Sequence, residues 1–117
     1  MKNLEQIRAA NAMAAALKPG ANYAGRQGGG GVAKKIPPLI INHGLLQVLA
    51  YARSEGGGFN SICDRMSEHL AQIIPELAQV TNASSLLQVL ALGDSVLLKR
   101  ATSEALAWLN YARRFID

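Results

Sequence analysis

A single cysteine, Cys63, is all the thiol chemistry this chain carries. It excludes an internal disulfide, and with no second thiol to form a CxxC pair for zinc or redox work the chain is expected in a reducing, cytoplasmic compartment. Aromatic residues make up only 5% of the sequence, which leaves few platforms for stacking bases and argues against sequence-specific single-strand recognition. The only histidines are His43 and His69, and no HExxH spacing accompanies them. Long apolar runs are missing too. The greasiest stretch, 36–52, is interrupted by Pro37, Pro38, Asn42, His43, Gly44 and Gln47, too polar for a bilayer helix, so no membrane partner is expected. The opening Met1-Lys2-Asn3-Leu4-Glu5-Gln6 puts charge ahead of any apolar block, unlike a signal peptide. Acids are the scarcer charge, 8 against 12 bases, for a formal net charge of +4. That excess favours an acidic partner such as nucleic acid without requiring one.

What is present points to helices. The 117 residues suit one domain with one core, and half of them are hydrophobic, with Ala and Leu abundant. No segment alternates with period two. The expectation is therefore an all-α fold, a single-domain bundle of five to six helices spanning residues 1–117, packed through small contacts.

The stretch 94–117 dominates the pattern. Leu98, Ala101, Ala105, Trp108, Ala112 and Phe115 recur at alternating three- and four-residue steps, one stripe of a single helix facing a core. Lys99, Arg100, Arg113 and Arg114 cluster around the opposite direction at about 100° per residue. Asp94 after Gly93 is a ready N-cap, and the two C-terminal arginines suit the negative end of the helix dipole. Mixed charge on an exposed helix often does no more than keep it soluble. Here Glu104 and Asp117 lie away from the middle of the basic face or at a frayed end, so the face is little neutralised. Trp108 is expected to be buried, against Ile7, Leu46 or Leu49.

Earlier in the chain, 3–18 reads as an amphipathic helix with Leu4, Ile7, Ala10, Ala14 and Leu17 inward and Lys2, Arg8 and Lys18 near water. Pro19-Gly20 stops it. The glycine-rich stretch 19–31, carrying Arg26 and ending in four glycines, is expected to be a mobile loop. A phosphate-cradling reading of it is weak, because Gly31 runs into Val32 instead of Lys-Ser or Lys-Thr and no strand precedes it. Pro37 and Pro38 are expected where a helix begins, with Lys34 and Lys35 just outside or in a preceding turn. Gly44 marks a kink or break. The next segment, 44–53, is apolar nearly all round and is expected to be buried on most sides, ending at Glu55 and Gly56-Gly57-Gly58. A third helix, 60–74, shows Phe59, Ile62, Met66, Leu70 and Ile73 on one side with Cys63 on that flank, so Cys63 reads as core. Pro75 and Thr81-Asn82 bracket a turn or short helical piece, followed by a short apolar helix over 84–92.

Candidate catalytic groups are thin. His69 lies near Asp64, Arg65 and Glu68, which raises a general base or a metal pair as alternatives. A hydrogen-bonded structural histidine is the simpler reading, and Asp64 with Glu68 at i and i+4 is the usual dress of a solvated face. Neither a nucleophile with its base nor a metal set is visible, so no enzyme, no metal and no cofactor is expected.

Four segments carry a resemblance: Lys34-Lys35-Ile36-Pro37, Asn42-His43-Gly44-Leu45, Ala101-Thr102-Ser103-Glu104-Ala105-Leu106 and Arg113-Arg114-Phe115. In these the chain resembles the small helical subunit of the Cmr module, the type III-B CRISPR-associated effector complex of antiviral defence. The glycine-rich loop at 25–31 departs from that family's more usual polar connection. The resemblance implies a non-catalytic subunit that stacks with copies of itself in a short filament. It implies as partners the backbone RAMP subunits and the large subunit, with crRNA and target RNA held in the groove between them. Cutting and cyclic-oligonucleotide synthesis belong in that family to the neighbouring subunits. A holding role needs only backbone-directed positive charge, since guide pairing carries the sequence. Lys34, Lys35, Lys99, Arg100, Arg113 and Arg114 are therefore the expected RNA-binding residues. The competing reading is a stand-alone helical adaptor that binds proteins and has no nucleic-acid role.

Overall fold

The computed structural model describes residues 1–25 and 28–116; Arg26 and Gln27 of the glycine-rich stretch, and Asp117 at the expected frayed end, lie outside the described residues. Six α-helices follow in order: α1 (Leu4–Ala16), α2 (Val32–His43), α3 (Leu45–Glu55), α4 (Gly57–Ile73), α5 (Ala83–Leu92) and α6 (Ser95–Phe115), with a 3-10 turn at Pro75–Leu77. No strand occurs among the described residues. The all-helical single bundle expected from the sequence is what forms.

Helix α6 is the axis. Asp94 caps it, its carboxylate accepting from the Leu97 backbone N–H at 2.8 Å. Both α1 and α2 lie against α6, and α3 lies against α5. The inward stripe of α6 holds Ala101, Ala105, Trp108 and Ala112, all fully buried, as the spacing predicts. Alanines there let neighbouring helices approach closely, while Trp108 fills the remaining volume with its ring stacked near His69, centroids 6.0 Å apart. The expected end of the stripe differs: Phe115 is 43% exposed, and Ile116, just past the helix, is buried in its place.

Helix α1 is rotated from its expected phase. Ala12 and Ala15 are buried, while Leu4, Ala10, Ala14 and Leu17 are exposed. The cause is polar, because Arg8 and Asn11 reach inward to partners on α6 and α4 and set the face. Helix α2 starts a turn earlier than the prolines suggest, at Val32, behind Gly31 in the left-handed region, which places Lys34 and Lys35 inside the first turn and Pro37 and Pro38 mid-helix. Lacking N–H groups, the two prolines give no helical hydrogen bond to the Ala33 and Lys34 carbonyls. At Gly44, φ 88° and ψ 157°, the chain breaks and α3 begins at the next residue. Helix α3 buries one face, Leu45, Val48, Leu49 and Ala52, instead of most sides; Gln47, Ala50 and Tyr51 are exposed.

The glycines after Glu55 also open α4. Gly58 admits no larger residue, since a Cβ there would lie 2.1 Å from the Tyr23 carbonyl oxygen. Its N–H donates to the Ala24 carbonyl at 2.8 Å, and the buried Tyr23 hydroxyl donates to the Ala15 carbonyl. The stretch after α1 is thus tied down at Tyr23 and Ala24. Cys63 is fully buried in α4, and burial, with the neighbouring Asp64, pushes its thiol pKa up to about 12, so it is an inert core residue.

Candidate nucleic-acid interface

Helix α2 lies along α6, and this seam sorts the basic residues. At one end Lys34, from the first turn of α2, and Arg113 and Arg114, from the last turn of α6, line one hollow of about 430 Å³. Lys99 lines a second hollow of about 550 Å³ with His43, Leu46, Leu98 and Ser103, where the α2–α3 elbow meets α6. Fourteen residues of α6 separate Lys99 from Arg113, about 21 Å along the helix. Between them Ser103, Leu106 and Asn110 continue the same line at four- and three-residue steps. Among the described residues no acid pairs with Lys34, Lys99, Arg113 or Arg114.

The other two expected residues point elsewhere. Arg100, about 100° around α6 from Lys99, forms an ion pair with Glu76 of the 3-10 turn at 3.1 Å. Both side chains are about half exposed, so the pair adds little stability. Lys35, likewise rotated about 100° from Lys34, lines a larger hollow between α2 and α3.

Arg8, expected near water, belongs instead to a polar cluster inside the bundle. Glu104 is 7% exposed and accepts from Arg8 Nε at 2.7 Å, Arg8 Nη2 at 2.8 Å and His69 Nε2 at 2.9 Å. The Asn11 side-chain amide donates to His69 Nδ1 at 2.8 Å and to Gln72 Oε1 at 3.0 Å. With Nδ1 accepting, the imidazole proton sits on Nε2 and the ring is neutral. Burial drives the His69 pKa below its ordinary value and outweighs the opposing pull of Glu104. Burial alone would raise the Glu104 pKa, but the hydrogen bonds from Arg8 and His69 overcome it and hold the carboxyl below its ordinary range.

This arrangement ties α1, α4 and α6 together and offers no nucleophile. His69 is the structural histidine its position suggested. Asp64 departs from the solvated-face reading: its carboxylate accepts from the Ala83 N–H at 2.8 Å and so caps the start of α5. No three His, Cys, Asp or Glu among the described residues group to hold a metal. No described helix is long and apolar enough to cross a membrane.

The family model described as CRISPR-associated protein (Cas_Cmr5) matches residues 4–117. No curated protein matches the chain. Among solved structures, the X-ray crystal structure of a CRISPR-associated Cmr5 family protein from Thermus thermophilus is similar with a TM-score of 0.73. The two share 21% identity over 97% of this chain and 95% of that one, a likeness that speaks for the fold. The family match runs from the first turn of α1 to the last residue, and the chain belongs to the CRISPR-associated Cmr5 family.

Proposed function

We propose that the chain is a non-catalytic structural subunit of a type III-B Cmr effector complex in the cytoplasm. It helps to form the filament that holds crRNA and target RNA. Its partners on this reading are the backbone RAMP subunits, the large subunit and further copies of itself. The observation that carries the proposal is the hollow of Lys34, Arg113 and Arg114, three cations from two helices with no acid paired to them among the described residues. Such a site suits a sugar-phosphate backbone and reads no base. Lys99 extends the line at the other end of the seam, with Lys35 and Arg100 bordering it on neighbouring faces.

Each copy contributes a few phosphate contacts, and stacking multiplies them, so the isolated chain should bind RNA weakly. With about four phosphates neutralised per copy, log affinity falls against log salt with a slope of roughly −3. Replacing Arg113 and Arg114 by Ala should reduce that slope by up to about two in the assembled complex, equally for unrelated target sequences. An unchanged slope with normal assembly would remove this hollow from the RNA path. Reduced co-purification with unchanged RNA affinity would reassign the two arginines to a protein interface, as the adaptor reading requires.

A further inference from the structure

Consecutive prolines leave one carbonyl of α2 without a helical donor. In a helix a carbonyl is met by the N–H four residues on, or three residues on where the turn tightens. For Lys34 those positions are Pro38 and Pro37, and neither carries an N–H. Ala33 keeps the Ile36 N–H within three-residue reach, and Lys35 has Leu39 four residues on, so Lys34 alone loses both donors. No side chain makes up the loss, since among the described residues nothing donates to the Lys34 carbonyl. Lys34 and Pro38 share one flank of α2 and both are exposed, so this acceptor opens to the outside. Its surroundings suggest its use. The Lys34 side chain leans toward the start of α2 and lines the hollow with Arg113 and Arg114, while its carbonyl points down the helix toward the elbow. A nucleotide strand that leaves a phosphate in that hollow and follows the seam toward His43 and Lys99 runs in the direction this carbonyl faces.

We propose that the Lys34 carbonyl accepts the 2′-hydroxyl of the ribose next to the phosphate held by Lys34, Arg113 and Arg114, and so distinguishes RNA from DNA on this face. The inference rests on the RNA-holding reading and adds to it the choice of sugar. Cations neutralise ribose and deoxyribose strands alike, because both carry the same phosphates. The 2′-hydroxyl is the backbone group that supplies a donor in RNA and none in DNA. A lone acceptor beside the phosphate hollow reads that donor and no base. An exposed carbonyl is otherwise satisfied by water, so one neutral hydrogen bond is exchanged for another, a gain of about three- to ten-fold in affinity.

The test titrates the full chain at low salt with single-stranded uridine hexamers of equal charge, carrying ribose, 2′-fluoro or 2′-deoxy sugars. The 2′-fluoro strand keeps the sugar pucker of RNA and lacks the hydroxyl donor. The ribose hexamer should bind about three- to ten-fold tighter than either of the others, with one salt slope common to all. Pro38→Ala supplies an N–H four residues after Lys34 and occupies its carbonyl inside the helix. The preference for ribose should then vanish while the salt slope and the helical signal stay as in the parent. Pro37→Ala is the control, because its N–H falls to the Ala33 carbonyl and the preference should survive. Equal affinity for all the hexamers with the slope retained overturns the inference and leaves the phosphate-holding reading standing, and so does a preference that persists in Pro38→Ala. Altered co-purification of Pro38→Ala with other subunits, at an unchanged preference, overturns it in favour of a protein donor. Absence of a salt slope with every hexamer removes the RNA-holding reading, and the inference falls with it.

Discussion

Glu104→Gln removes one charge and almost no volume, and the structure lets its cost be worked out. The carboxylate takes three hydrogen bonds, two from Arg8 and one from His69. Removing one partner of a buried ion pair generally costs about 3–5 kcal/mol, because the remaining charge is left uncompensated. The Arg8 side chain is 25% exposed and can recover some hydration, which places the expected loss near the lower end, about 3 kcal/mol. For a domain of this size that corresponds to a fall in Tm on the order of 10 °C.

The pH dependence follows with a definite sign. Folded His69 holds its proton less readily than an unfolded histidine, whose ordinary value is 6.5. Below about that pH the unfolded state binds the extra proton, and stability falls by up to about 1.4 kcal/mol per pH unit until the folded pKa is reached. Glu104, also lowered in the fold, adds a second loss of the same sign below its ordinary 4.5. In Glu104→Gln the second loss disappears, while the first extends to lower pH because the carboxylate no longer favours the imidazolium. Thermal unfolding followed by circular dichroism between pH 8 and 4 measures both. A variant within about 2 °C of the parent at pH 7, or a parent Tm flat from pH 7 to 5.5, would refute the reasoning.

Trp108→Ala should cost roughly 3–5 kcal/mol by opening a cavity under α6. Trp108→Phe should cost much less, since the indole N–H meets no acceptor among the described residues, and chemical denaturation separates the two. Gly58→Ala should break the Gly58–Ala24 hydrogen bond and expel Tyr23, costing about 2–3 kcal/mol and exposing the preceding loop to limited proteolysis; parent-like resistance would count against that close approach. Gly28 to Gly31 should show faster backbone motion than Tyr23 and Ala24 in NMR relaxation, and equal order parameters would contradict it. Native Cys63 should resist thiol reagents until unfolding, so labelling rates should follow denaturant concentration.

Much of the bundle was legible because α4, α5 and α6 bury apolar stripes whose spacing is visible locally. The failures share one origin, contacts far apart in the chain. In α1 two stripes compete, and hydrophobicity favours the wrong one. Arg8 and Asn11 look like solvent-facing residues until Glu104 and His69, 96 and 58 positions away, are brought beside them. One clue was available. Glu104 falls three residues after Ala101 and four before Trp108, inside the apolar stripe, and an acid in that phase calls for a buried cation. For Pro37 and Pro38 the preference for a first helical turn gave way to the Gly31 turn, which starts α2 at Val32. Of the six basic residues, helical phase grouped the four on α6, but Arg100 turns to Glu76, and the meeting of Arg113 and Arg114 with Lys34 depended on how α2 lies on α6.

The basic seam arises as much from where the acids go as from where the bases stand. Glu104 lies about 180° around α6 from Arg113 and is consumed internally by Arg8 and His69. Asp94 and Asp64 are held as helix caps, Glu76 is paired with Arg100, and Glu5 accepts from Tyr111. Each of these acids is engaged at a helix start or at a contact between elements. None of them is paired with Lys34, Lys99, Arg113 or Arg114. A modest excess of four positive charges therefore produces a local surface more basic than the composition implies. The same acids that stabilise the bundle are withdrawn from the α2–α6 face, so loss of the Glu104 cluster should weaken the fold without changing the charge presented along the seam.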